Sequence, residues 1–102
     1  MIISVADSGV VLEDPHNFRA FKVVVNRPGA DLAAIQSALA GLATLPDRET
    51  AWVSEVALRR RPEVATDAAW QQACSGMIEK AKAYGWIDEQ NKTIKAHIEW
   101  PA

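Results

Sequence analysis

The feature that most constrains this chain is residues 66–100, where an amphipathic helix, a glycine stop and an alternating strand follow one another. Apolar Trp70, Ala73, Cys74, Met77, Ile78, Ala81 and Tyr84 recur at intervals of three and four. Asp67, Gln71, Gln72, Ser75, Glu79, Lys80 and Lys82 lie between them. This is the 3.6-residue period of a helix with one buried stripe. Thr66 is placed to cap it, with Asp67 beside its positive end and Lys80 and Lys82 near its negative end. Gly85 falls where a helix stop takes a positive φ, and Trp86 can fold back on Ala81, so the spacing predicts a helix ending near Tyr84. Beyond it Ile94, Ala96, Ile98 and Trp100 alternate with Thr93, Lys95, His97 and Glu99, the period of a strand with one apolar face. Trp86 and Ile87 begin its hairpin partner. In the connection 88–92, Asn91 is the residue best suited to a left-handed backbone.

Upstream, Ile2, Ile3 and Val5 form a short apolar segment and residues 10–12 another, with a turn at Ala6, Asp7, Ser8 and Gly9. Asp14, Pro15, His16 and Asn17 interrupt the chain. Residues 18–25 carry Phe21, Val23 and Val25 on one parity and Phe18, Ala20 and Val24 on the other, which predicts a strand buried largely on both faces. Asp31 caps a helix whose apolar positions are Leu32, Ile35, Ala38, Leu39 and Leu42, bounded by Gly41 and Pro46. Residues 51–61 admit two readings. One is a helix from Arg48 to Arg61, capped by Asp47 and stopped by Pro62. The other is a strand at Ala51, Trp52 and Val53, then a short helix capped by Ser54. The second is favoured, because Trp52 and Val53 suit strand geometry and Glu55 supplies an acidic first turn. The chain therefore reads as α+β: an antiparallel sheet of about five short strands with three helices, the long C-terminal helix being followed by a β-hairpin, in one domain over 1–102.

A 102-residue chain that is 49% hydrophobic supports one domain with one modest core. No apolar run approaches the roughly 20 residues of a membrane helix, and the first residues lack the basic and long apolar regions of a signal peptide, so a soluble, cytoplasmic protein is expected. Cys74 is alone and lies on the buried stripe, which makes it a core residue rather than a nucleophile. His16, His97 and Cys74 share no metal-ligand spacing, and the five glycines form neither a P-loop nor a dinucleotide fingerprint. No metal or cofactor is expected. Net charge is −2. Residues 1–58 hold four basic and seven acidic side chains (−3), and 59–102 seven and six (+1).

From Asp31 the order of helix, short strand, short helix, long helix and hairpin resembles that of winged-helix proteins. That resemblance implies a recognition helix at 66–84 and a wing at 86–100. It would give base reading to Gln71, Gln72 and Ser75 and phosphate contact to Arg59, Arg60, Arg61, Lys80, Lys82 and Lys92. Electrostatics oppose it, since affinity for nucleic acid comes from Lys and Arg and this half is only +1. A third reading is an enzyme using His97, which has Lys95 and Glu99 as same-face neighbours. The four tryptophans, Trp52, Trp70, Trp86 and Trp100, stand at element ends and can converge on one end of the domain. With His97 they are the candidate residues of a ligand pocket or interface. The leading expectation is thus a non-catalytic interaction or small-ligand-binding module, with a homodimer as the simplest cover for an open sheet face or edge.

Overall fold

The computed structural model describes residues 1–101. In chain order the elements are β1 (Ile2–Ala6), β2 (Gly9–Glu13), β3 (Lys22–Asn26), α1 (Leu32–Ala38), β4 (Ala43–Thr44), β5 (Thr50–Ser54), α2 (Glu55–Arg59), α3 (Ala68–Lys82), β6 (Ile87–Asp88) and β7 (Thr93–Glu99). The α+β class, the three helices and the terminal helix–hairpin are as expected. The sheet is not purely antiparallel. Its order is β2-β1-β3-β7-β5-β4, and β1–β3 and β3–β7 pair in parallel. The hairpin β1–β2 turns back at the outside, so the chain must cross past β1 to lay β3 on its far side, in the same direction as β1.

That crossing explains the corrections around residues 14–26. Residues 18–25 do not form one strand. Phe18–Ala20 make a 3-10 turn, and the strand begins at Lys22 with only Val23 and Val25 fully buried. The crossing segment is pinned to the start of α3, where the Trp70 indole N–H donates to the Pro15 carbonyl (2.8 Å) and the Trp70 ring lies 5.8 Å from that of Phe18. His16 Nε2 lies 2.9 Å from Asp67 Oδ2. Asp67, not Thr66, is the N-cap of α3, accepting from the Trp70 amide at 3.0 Å. A carboxylate is an equally good cap and also favours the positive helix end, so one step of register costs nothing.

At its other end α3 stops as the sequence indicates. Gly85 has φ +74°, its N–H donates to the Lys82 carbonyl, and Trp86 N–H donates to Ala81 (both 3.2 Å), which is the paired closure of a Schellman motif. The left-handed residue before β7 is Lys92 (φ 54°) rather than Asn91. Asp88 instead holds the Asn91 amide groups, fixing that residue within the turn. Ser54 caps α2 after a strand, the second of the two readings of 51–61. Helix α1 is shorter than its apolar pattern, ending at Ala38, because Gly41 (φ 84°) turns the chain into the unforeseen strand β4.

Buried Ile94, Ala96 and Ile98 of β7, Ala51 and Val53 of β5, Val23 and Val25 of β3, and Ile3 and Val5 of β1 form one apolar face. It meets Trp70, Cys74 and Ile78 of α3, Ile35 and Leu39 near α1, and Leu58 of α2. No helix among the described residues is long and apolar enough to cross a membrane.

Both outer edges of the sheet are closed by side chains. On β2, the Leu12 amide donates to Glu63 Oε2 (2.7 Å) and the Val10 carbonyl accepts from Arg61 Nη2 (2.7 Å), with Arg61 and Glu63 bonded to each other. On the β4 side, Gln36 donates from Nε2 to the Ala43 carbonyl (3.0 Å) and accepts from the Leu45 amide (2.7 Å). Each pair supplies the donor and acceptor that a further strand would bring, which blocks edge-to-edge pairing.

Candidate functional site

An internal edge is left open. Along one side of β7, β6 covers Thr93 and Ile94, and β3 covers His97 through Glu99. Between the two partners the edge of β7 is bare but for the Lys95 amide, which donates to the Trp86 carbonyl at 2.7 Å. A cleft of about 910 Å³ opens there. Its floor is Ile94, Lys95, Ala96 and His97. Successive strand residues point to opposite faces, so a cavity lined by all four passes round the strand's edge and reaches both sides of the sheet.

The walls come from four directions. The 3-10 turn before β3 contributes Phe18 and Arg19, with Phe21 following. The outer flank of α3 contributes Ala73, Gly76, Met77, Lys80 and Ala81. The helix stop contributes Tyr84 and Trp86, and Glu49 and Thr50 close the side toward β5. Small residues on that flank of α3 leave the room that larger ones would fill. The Schellman turn sets the aromatic wall, because Gly85 reverses the chain and stacks the Trp86 ring on Tyr84 at 4.6 Å and 20°. Tyr84 is 68% and Trp86 45% exposed, an aromatic pair open to solvent.

The four tryptophans do not converge. Trp86 lines the cleft, while Trp70 is fully buried in the core. Trp52 lies on the sheet face away from the helices, opposite Lys95 on β7 and Thr44 on β4. Trp100 packs against the core with its indole N–H on the Arg48 carbonyl (2.6 Å) and the Arg48 guanidinium 4.0 Å from its ring centre. Element ends are distributed round both faces of a mixed sheet, so position at an element end did not mean shared location. Of the pocket candidates, Trp86 and His97 are brought together.

The residues assigned to nucleic-acid contact scatter too. Arg59 is spent internally, bonding Glu55 (3.2 Å), the Gln71 carbonyl and side chain (2.9 and 3.0 Å) and Ser75 (2.9 Å). Gln71 donates back to the Arg59 and Val64 carbonyls. Arg61 seals β2. Lys82 pairs with Glu79 (2.9 Å) and Glu89 (3.5 Å), chiefly through the Glu79 hydrogen bond that raises its pKa. Lys92 shares with Arg59, Ser75 and Lys82 a smaller groove that also holds Glu55, Glu79 and Glu89. Arg60 and Gln72 are exposed elsewhere, and Lys80 faces the cleft. Cys74 is fully buried, and burial pushes its thiol pKa up.

Phe18, Arg19, Phe21, Glu49 and Lys95 are cleft residues that sequence reasoning did not single out. The alternation of aromatic and basic residues in Phe18, Arg19, Phe21 and Lys22 was the available signal. No family model, curated protein or solved structure matches the chain.

Proposed function

We propose that this chain is a non-catalytic small-ligand-binding module whose binding site is the cleft round the bare edge of β7. The observation that carries the reading is the combination of place and size. Both outer edges of the sheet are closed by their own side chains, whereas the internal edge opens into about 910 Å³, a volume within the range of small-molecule sites. Apolar and aromatic walls with a few polar groups are the composition such sites need. His97 lies in the cleft, but no carboxylate among the described residues hydrogen-bonds to it. The largely apolar and aromatic lining is what supports binding as the reading. The test is a nuclear magnetic resonance titration of isotope-labelled protein with a set of small aromatic and aliphatic compounds. Shifts are expected to cluster at Gly76, Lys80, Tyr84, Trp86 and Ala96. If no compound moves these amides at about millimolar concentration, where even weak ligands bind, the cleft is not a ligand site.

A further inference from the structure

We infer that the cleft takes a planar aromatic acid, a flat ring system carrying a carboxylate or a phosphate. This rests on the reading of the cleft as a ligand site and adds the chemistry of the ligand.

The first argument is charge. Arg19, Lys80 and Lys95 come from three separate elements and line the same cavity, where Glu49 is the sole carboxylate. None of the three cations has an ion-pair partner among the described residues. Lys22, Arg27, Arg59, Arg61 and Lys82 are all paired, and Arg48 lies over the Trp100 ring. In a chain of net charge −2, three cations without an ion-pair partner thus share this cavity, while Arg60 and Lys92, also outside any ion pair, lie elsewhere. A cleft lined by one sign of charge with low-dielectric walls focuses the field and concentrates the opposite ion.

The second argument is shape. Phe18 and Phe21 line the cleft from the crossing segment, and the stacked Tyr84–Trp86 pair lines it from the helix stop. Rings prefer offset-stacked or edge-to-face neighbours, and an exposed stacked pair offers a further flat face to a third ring. Arg and Lys then meet the acid group, Arg19 through a planar fork that matches a carboxylate or phosphate, and the two lysines as point charges. Indole and phenol faces supply the apolar contact and the cations fix orientation, so neither a neutral ring nor an aliphatic acid satisfies both parts of the site.

The experiment titrates the full chain at low salt, by calorimetry and by resonance shifts, with five probes. These are 1-naphthoate, adenosine monophosphate, the neutral 1-naphthalenemethanol, cyclohexanecarboxylate and inorganic phosphate. Either or both of the first two should bind at the cleft at least about tenfold more tightly than the last three, the worth of one charge-assisted hydrogen bond. Which of the two binds identifies the carboxylate or the phosphate as the acid group. Lys80→Gln with Lys95→Gln should weaken binding of the acid several-fold, toward but not to the affinity of its neutral counterpart because Arg19 remains, and leave 1-naphthalenemethanol unchanged. The single Lys80→Gln variant should show a partial loss, and unshifted resonances outside the cleft verify the fold of both. Equal binding of 1-naphthoate and 1-naphthalenemethanol at the cleft, with adenosine monophosphate no tighter, would overturn the acid inference while sparing the cleft as a ligand site. Equal binding of cyclohexanecarboxylate would overturn the aromatic part. No shift at the cleft with any probe would overturn both readings together.

Discussion

Replacing Glu63 by Ala tests how the sheet ends. Glu63 Oε2 accepts from the Leu12 amide at 2.7 Å and from Arg61 at 3.0 Å, and Oε1 accepts from Arg61 at 3.2 Å. Removing the carboxylate leaves the Leu12 N–H on the sheet edge without a protein partner and Arg61 without its counter-charge. A charge-assisted hydrogen bond contributes about 1.5–3 kcal/mol. Water reaches this edge and screens the pair, which discounts the figure to about 1–2 kcal/mol. For a domain of this size that lowers Tm by about 4–16 °C. The loss should also depend on pH. Burial works against ionisation of Glu63, but the Arg61 and Leu12 hydrogen bonds outweigh it and hold the carboxyl below its usual range. A depressed folded-state pKa means the stabilisation is present above the unfolded value and is lost as pH falls through the folded one. Thermal unfolding of wild type and Glu63→Ala should therefore show a gap at pH 7 that closes on acidification. Light scattering should show self-association in the variant, whose edge is now free. An unchanged Tm at pH 7, or a gap independent of pH, would refute the sealing role.

Three further outcomes are expected. Gly85→Ala should lower the urea midpoint by the equivalent of about 1 kcal/mol or more. The space round Gly85 is empty, so the whole cost is its φ of +74°. Cys74→Ser should cost roughly 1–3 kcal/mol through a buried hydroxyl, and native Cys74 should resist thiol reagents, as its burial and raised pKa require; rapid labelling of the folded protein would contradict this. Gln36→Ala should free the Ala43 carbonyl and the Leu45 amide and destabilise by about 1–2 kcal/mol in chemical denaturation, with no change indicating that water replaces the amide fully.

Local periodicity was enough for the elements whose burial is one-sided. Helix α3 and strand β7 each present a regular apolar stripe, and Gly85 marks the stop by a backbone requirement that other residues meet at a cost. Ser54 and Glu55 resolved the ambiguity at 51–61 because a cap is a short-range device. The errors arose where the decisive interaction is distant. Residues 18–25 carry apolar side chains on both parities, which suits a doubly buried strand. Phe18 is instead drawn to Trp70, 52 positions later, and this bends the segment into a 3-10 turn. The parallel pairing of β3 with β7 joins residues over 70 positions apart and leaves no local trace. Strand β4 is two residues long and held by Gln36, too short for a period to register. The cleft escaped for the same reason, since its lining comes from five separate stretches of chain and its existence depends on where β3 stops and β6 begins.

The charges also change meaning once the partners are known. Arg59, Arg60 and Arg61 read as one basic run, and a run is what a phosphate backbone would meet. In the fold Arg59 ties α2 to α3 through Gln71 and Ser75, Arg61 closes β2, and Arg60 alone remains exposed. Arg19, Lys80 and Lys95, separated by 61 and 15 positions, share the larger cleft and stand outside any ion pair. An acid bound there would find cations outside any ion pair, whereas one at the arginine run would have to break the bonds that hold α2 and β2 in place. Replacing Arg59 and Arg61 by Gln should therefore lower stability, while replacing Lys80 and Lys95 by Gln should spare stability and weaken binding of an aromatic acid. Denaturation curves and calorimetry on the two double variants separate the roles. Unchanged stability in the first pair, with loss of it in the second, would reverse the assignment of structural and binding cations.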